Sequence, residues 1–216
     1  MSPEDPLAPS IRYRWTVLVM LTLVYTFNFI DRQILVILQE PIKADLGLSD
    51  AQLGLLSGFS FALVYVTAGI PIAWLADRGN RRNIVAVSLG FWSFMTALSG
   101  LAQNYGQLLA ARIGVGIGEA GGSPPSHSMV SDYFPAKQRG TALSFYSTGI
   151  YIGILIGFAA GGWIAETFGW RVAFFLVGVP GIFYALLFVW IVKEPKRGQW
   201  DPGGVPAKST FKATLA

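Results

Sequence analysis

The chain has 216 residues, of which 53% are apolar, 14% aromatic and only 13% charged, with 16 Lys+Arg against 12 Asp+Glu and a net charge of +4. A soluble domain has about 25% charged residues, and the mean hydropathy of +0.50 comes from long apolar runs rather than from alternation or stripes, so the composition is that of a polytopic membrane protein. With no Cys and one His, His127, a disulfide framework and a Cys/His metal cluster are excluded. No G-x-x-x-x-G-K-[ST] loop is present to cradle phosphates, which argues against an ATP-driven pump; no cofactor is expected.

A bilayer core about 30 Å thick needs roughly 20 apolar helical residues, and six segments qualify: about 15–38, 51–76, 83–102, 106–130, 141–165 and 170–192. The first is not a signal peptide, because Asp31 and Arg32 lie inside it, Glu4 and Asp5 precede it and no small-residue cleavage site follows. The expected fold is therefore all-α, with a six-helix transmembrane bundle over 15–192, a polar N-terminal segment over 1–14 and a polar linker or tail over 193–216 that contains Pro202, Gly203 and Gly204.

Basic residues set the expected orientation. Arg12 and Arg14 precede the first span; Arg78, Arg81 and Arg82 fill the loop after the second; Lys137 and Arg139 fill the loop after the fourth; and Lys193, Lys196, Arg197, Lys208 and Lys212 follow the sixth. All fall on one side, against Lys43 and Arg171 on the other. Positive charge marks the cytoplasm, so both termini are expected there. The same distribution accounts for the net charge without nucleic acid.

Four ionisable residues remain inside the spans: Asp31 and Arg32 in the first, Arg112 and Glu119 in the fourth. A charge at bilayer depth costs at least about 2.5–3.5 kcal/mol, so these side chains should face the bundle interior or an aqueous cavity. At about 1.5 Å rise per residue, Asp31 lies roughly 24 Å from the cytoplasmic start of its span and Arg112 roughly 9 Å from the opposite end of its own. Both fall in the outer half, and Asp31–Arg112 is the expected pair. Arg32 is turned about 100° away, and Glu119 shares the face of Arg112 nearer the midplane. Mutual neutralisation alone would make these residues helix locks; two acids and two bases in an apolar surround point further, to handling of protons or substrate.

Several runs resemble the major facilitator superfamily of secondary transporters. Ala73 to Arg82, AWLADRGNRR, is similar to the loop signature G-x-x-x-D-R-x-G-R-R, with Ala73 and Asn80 in place of two glycines. Leu108, Arg112 and Gly116 resemble the fourth-helix signature, with Val115 where Gln is frequent, and Arg139-Gly140 with Ala142 resembles the turn before the fifth helix. Gly149, Gly153, Gly157, Gly161 and Gly162 resemble the antiporter fifth-helix signature, with Phe158 in place of its proline. The run Asn28 to Arg32, and Arg112 to Glu119 followed by Pro124-Pro125, are similar to the Spinster-like, lipid-transporting branch. Members of the superfamily have twelve helices in two halves, so the resemblance implies an N-terminal six-helix half in a cell membrane.

Matched depth and opposite charge, together with the resemblance, imply roles. Asp31, Arg32, Arg112 and Glu119 would couple protons to substrate, Asp31 titrating with Arg112 as its alternating partner, Glu119 as a second proton or head-group site and Arg32 as helper. Asp77, Arg78, Arg81, Arg82 and Arg139 would take part in gating, with Asp77 latching onto the other half; positive-inside topology alone also accounts for the arginines. The implied substrate is a lysophospholipid or sphingoid-like amphiphile, with protons, membrane lipids and a second six-helix half as partners. Tyr25, Phe29, Phe61, Phe91 and Phe94 could line an aromatic cavity, and Trp15, Trp163, Trp170 and Trp190 are placed as interfacial anchors. Two other readings stand beside transport: a structural half that works only with a second half or by self-association, and an intramembrane hydrolase using Ser123 and His127, four residues apart. The second lacks any accompanying nucleophile loop, and no enzyme activity is expected.

Overall fold

The computed structural model describes residues 9–201, with the backbone alone at Phe59 and Ser60; Glu4, Asp5, Lys208, Lys212 and the Pro-Gly-Gly run of the tail lie outside the described residues. All regular structure among the described residues is helical: α1 (Ile11–Ile37), α2 (Gln39–Leu46), α3 (Asp50–Gly54), a π-helical turn (Leu55–Phe59), α4 (Ser60–Arg78), α5 (Arg81–Ser99), α6 (Tyr105–Glu119), α7 (Ser123–Tyr133), α8 (Ala136–Phe168) and α9 (Trp170–Ile191). Side chains placed to satisfy the first amides set several of the starts. Ser10 accepts from the Tyr13 amide, Asn80 from that of Asn83 and Asn104 from that of Gln107, and Ser49 with Gln52 forms a full capping box on α3. Gly169, at φ +83°, lets α8 pass directly into α9.

Four helical stretches are long and apolar enough to cross a membrane: 11–37, 50–78, 136–168 and 170–191. The remaining two expected spans differ from expectation for identifiable reasons. α5 buries Ser88, Ser93, Thr96 and Ser99 against its neighbours, which lowers its hydropathy. The fourth span is not one helix: α6 stops at Glu119, the turn 120–122 closes with hydrogen bonds from the Gly121 amide to the Gly118 carbonyl and from the Gly122 amide to the Glu119 carbonyl, and α7 restarts at Ser123. Gly121 and Gly122 loosen the chain there, and Pro124 and Pro125 have no amide to extend α6 but suit the first turn of a new helix.

The helices pack chiefly as α1 against α8, α5 against α9 and α5 against α6, while α4 leans on α6 and α7 more than on α5. Small residues make these seams possible in a bilayer, where water does not drive helices together. A Cβ built on Gly149 would stand 2.7 Å from the Thr22 carbonyl oxygen, and one on Gly153 would stand 2.6 Å from that of Thr26. Gly157 and Gly161 continue the stripe against Gln33 and Ile34. On the other seam a Cβ built on Gly178 would stand 2.5 Å from the Ser93 carbonyl oxygen, and one on Gly181 would collide with the Ser93 hydroxyl. Between the seams, one apolar cluster holds Leu18, Leu89, Trp92, Tyr133 and Phe188, and a second, toward the opposite end, holds Ile34, Leu38, Leu53, Trp170 and Phe174.

The basic residues of the loops gather at one end of the bundle, and the segment after α9 is laced beneath it. Arg81 is 1% exposed. It donates from Nε to Glu194 at 2.7 Å, from Nη1 to Ser128 at 2.7 Å and Asp132 at 2.5 Å, and from Nη2 to the Pro195 carbonyl at 3.1 Å. The Arg82 amide donates to the second Glu194 oxygen at 2.9 Å, and Tyr133 donates to the Lys193 carbonyl at 2.7 Å. Arg197 donates to the carbonyls of Ala76 and Gly79, capping the end of α4. Arg139 binds the Ser131 carbonyl and Asp201, and Arg14 lies under the ring of Trp200. Residues 193–201 are therefore an anchored strap rather than free linker. At the opposite end Lys43 pairs with Asp50 and Arg171 with Asp45. The hydrogen bond from Arg171 holds the Asp45 carboxyl below the usual carboxylate range, so this contact favours the fold above that range and is lost as pH falls through it.

Two substitutions test the packing. Gly153→Ala is expected to lower stability by about 1–3 kcal/mol through overpacking, read by thermal unfolding in detergent, whereas Gly162→Ala, with nothing within 4 Å of the added carbon, is expected to leave it unchanged or slightly higher. Arg81→Ala is expected to cost about 3–5 kcal/mol by leaving Asp132 and Glu194 without their cation. Arg81→Lys should recover part of that loss, since it keeps the charge without the fork.

Candidate functional site

The four charged residues expected inside the membrane all come together where α1 faces α6. Asn28 and Asp31 lie on the buried face of α1, and Arg112 and Glu119 on the buried face of α6. The pairing differs from expectation. Arg32 donates from Nε to Glu119 Oε2 at 2.8 Å, with 32% of the Arg32 side chain exposed and Glu119 fully buried. Asp31 and Arg112 are close enough to interact electrostatically but form no ion pair. The reason is reach and direction. The short Asp31 carboxyl points toward Trp92 and Thr96 of α5, while the longer Arg32, one residue further round α1, extends to the last residue of α6.

Arg32 is also enclosed by π faces. Its guanidinium lies 5.3 Å from the Phe29 ring centroid, 5.0 Å from Phe61 and 5.3 Å from Tyr65, an arrangement that attracts a cation. Phe61 and Tyr65 are one turn apart on α4 and stack on each other. From Phe29 the aromatic wall continues through Tyr25, edge-on at 5.1 Å, to Tyr146 of α8, which stacks on Tyr25 at 4.5 Å, and then to His127, edge-on to Tyr146. Of the aromatic residues expected to line a cavity, Tyr25, Phe29 and Phe61 join this row. Phe91 and Phe94 do not: both stand 38% or more exposed on the outer side of α5. Tyr65 and Tyr146 were missed. The i, i+4 spacing of Phe61 and Tyr65 carries a signal for the first; Tyr146 meets Tyr25 only because the glycine seam brings α8 onto α1.

Polar atoms in this region are incompletely paired. Asn28 Oδ1, Asp31 Oδ1, Arg112 Nε and Nη1, and Glu119 Oε1 are buried without a hydrogen-bond partner, where a fully structural network would be satisfied. Glu119 also ends α6, where a carboxylate meets the negative end of the helix dipole, and Arg32 is the cation it binds. The arrangement can exchange partners: a proton on Glu119, or an anion at Arg32, breaks the same contact. Ser123 and His127, by contrast, share no hydrogen bond among the described residues, and Ser126, not Ser123, bonds back to the preceding turn.

The residues expected to gate lie at the basic end. Arg81 is buried in the strap network described above, Arg82 and Arg139 bind the strap, and Arg78 stacks on Trp74 at 4.3 Å. Asp77 is exposed.

The Major Facilitator Superfamily model matches residues 21–215. The chain is 39% identical over 181 residues to an MFS-type efflux pump of Mycolicibacterium smegmatis, covering 84% of this chain and 42% of that protein. It is 35% identical over 199 residues to a probable galactarate/D-glucarate transporter of Bacillus subtilis, covering 89% and 43%. The crystal structure of a bacterial homolog of the human lysosomal transporter Spinster, inward-facing and unoccupied, superposes with a TM-score of 0.85 at 41% identity, over 92% of this chain and 47% of the other. The chain spans about half the length of the relatives it matches. A transporter family, rather than any feature of Ser123 and His127, answers the hydrolase reading. Helical spans, buried intramembrane charges and the family match agree: this chain is a multi-pass membrane protein that belongs to the major facilitator superfamily.

Proposed function

We propose that the chain forms a six-helix half of a proton-linked secondary transporter in the cell membrane, working by alternating access, with both termini cytoplasmic. The gathering of Arg14, Arg81, Arg82, Arg139 and Arg197 at one end of the bundle supports the orientation through the positive-inside bias. Transport belongs to the assembled protein, in which a second six-helix half completes the cavity and Asp77 reaches across to it.

The observation that carries the proposal is the Arg32–Glu119 contact at 2.8 Å beside buried, unpaired atoms of Asp31 and Arg112. A purely structural charge set would close on itself, as Arg81 does. Here a proton arriving at Glu119 removes the negative charge that holds Arg32, and one arriving at Asp31 removes the charge beside Arg112. Arg32 then turns a partly exposed guanidinium to an incoming anion, and Arg112 takes over whichever carboxylate remains charged. This revises the sequence-based scheme: Arg32 becomes the head-group reader and Arg112 the internal counter-ion.

The substrate is an amphiphile with an anionic head group, a lysophospholipid or phosphorylated sphingoid base. The aromatic wall from Phe61 to Tyr146 suits its chain, and the resemblance of the Asn28–Arg32 and Arg112–Glu119 runs to the Spinster-like branch implies the class. Sugar acids, named for the Bacillus subtilis relative, share the anionic head but have no use for that wall.

Uptake into proteoliposomes by the native protein carrying this chain tests the scheme, with lysophosphatidylglycerol and D-glucarate as separate substrates. Asp31→Asn is expected to abolish pH-driven uptake, and Glu119→Gln to leave substrate exchange while removing its dependence on the pH gradient. Lysolipid should be carried in preference to glucarate. Unchanged pH-driven uptake in Asp31→Asn would overturn the coupling role, and preference for glucarate would overturn the lipid assignment alone.

A further inference from the structure

The buried face of α5 carries polar groups that packing alone does not explain. Trp92 and Thr96 stand one turn apart on one side of the helix, and both are fully buried. A buried hydroxyl on a helix is commonly satisfied by bonding back one turn. Thr22 does so to the Leu18 carbonyl at 2.8 Å, Thr26 to that of Thr22 at 3.0 Å and Ser99 to that of Met95 at 3.0 Å. The Thr96 hydroxyl makes no such bond, and the Trp92 indole nitrogen is also buried without a hydrogen-bond partner. An indole N–H only donates, so Trp92 requires an acceptor.

The acceptor that both face is Asp31, itself buried and with Oδ1 unpartnered. Trp92 is held against it from behind. A Cβ on Gly118 would stand 2.7 Å from Trp92 Cβ, and one on Gly122 would stand 3.4 Å from the far edge of the indole. The ring therefore lies along the end of α6 and has no space to withdraw into. The charged groups that face Asp31 are Glu119 and Arg112, both of α6, while Arg32 is turned to Glu119. The other helices bring no charge to this part of α1: α8 meets it with Gly153 and Gly157, and α9 with Gly181 beside Phe27. Tyr184 of α9 donates its hydroxyl to the Met20 carbonyl instead. Asp31 thus stands between two kinds of partner, neutral donors on α5 and a cation on α6.

We infer that Trp92 and Thr96 are positioning residues for the coupling carboxylate: the indole N–H and the hydroxyl form a two-donor cradle on α5 that holds ionised Asp31 and competes for it with Arg112. The inference rests on the reading of Asp31 proposed above. Hydrogen bonds to an ionised acceptor are about twice as strong as those between neutral groups, so the cradle grips the carboxylate and loosens on the acid. Because its donors are neutral, it orients Asp31 without cancelling the charge. The two buried carboxylates are then held differently, Glu119 by a cation and Asp31 by two dipoles, and a proton at Asp31 releases the α1 side chain from α5 rather than from an arginine.

Infrared spectroscopy of the native protein carrying this chain, reconstituted in liposomes, titrates Asp31 directly through the carboxyl band that Asp31→Asn removes. Thr96→Val keeps the shape and deletes the hydroxyl; Trp92→Phe keeps a ring and deletes the N–H. Each removes a bond to the charged form, and each is expected to move the midpoint of that band up by about one pH unit, a tenfold gain in proton affinity. Thr96→Ser, which loses a methyl and keeps the hydroxyl, should leave the midpoint where it is. The pH of half-maximal lysophosphatidylglycerol uptake should move with the band. An unchanged midpoint in either deletion, or an equal shift in Thr96→Ser, overturns the cradle. A shifted band with an unshifted uptake profile supports the cradle and overturns instead the coupling role of Asp31.

Discussion

A guanidinium has five donors, no acceptor and no accessible neutral form, so an arginine that enters an apolar helical bundle must bring its partners with it. Two arginines of this chain meet that constraint in opposite ways. Arg81 is enclosed by Glu194, Asp132, Ser128 and the Pro195 carbonyl, so its charge is answered on every side and the strap, α5 and α7 are joined through it. Arg32 has one carboxylate and three ring faces, and the charged residues beside it keep unpaired atoms. The first is a joint; the second is the contact that we propose changes partners.

The helix seams set where such a change can act. Glycines bring α8 onto α1 and α9 onto α5 until backbone meets backbone, and contacts of that kind move as one body or not at all. α4 is held otherwise. It follows a π-helical turn at Leu55–Phe59, carries Pro71 within it, and is capped at its far end by Arg197. It also supplies Phe61 and Tyr65 to the cage around Arg32. Phe61 and Tyr65 therefore sit on the least buried of the four long apolar stretches.

The Spinster homolog offers a measure of what half a fold carries. The chain matches that structure closely over its own length while covering 47% of the other chain. The charged cluster lies wholly within this half, on α1 and α6. The aromatic row from Phe61 through Tyr25 to Tyr146 also lies wholly within it.

Much of this was legible in the residues alone. Apolar length marks a bilayer-spanning chain because the lipid core admits no unsatisfied backbone. The four intramembrane charges stand out because their isolation is costly, and the glycine stripe of α8 because its four-residue period keeps one face of a helix. Helix breaks carry a weaker local signal, visible at Pro124-Pro125 but silent at Leu55–Phe59. The partner choice of each charge was not legible. Depth along a helix can be counted, but whether Arg32 or Arg112 reaches Glu119 depends on side-chain length and helix rotation, which only packing against α4 and α5 decides. The strap is the clearest case: Lys193 to Asp201 reads as polar linker, and Arg81 as one more positive-inside arginine. Their union under the bundle arises because burying that guanidinium requires acceptors that only the folded chain brings into reach.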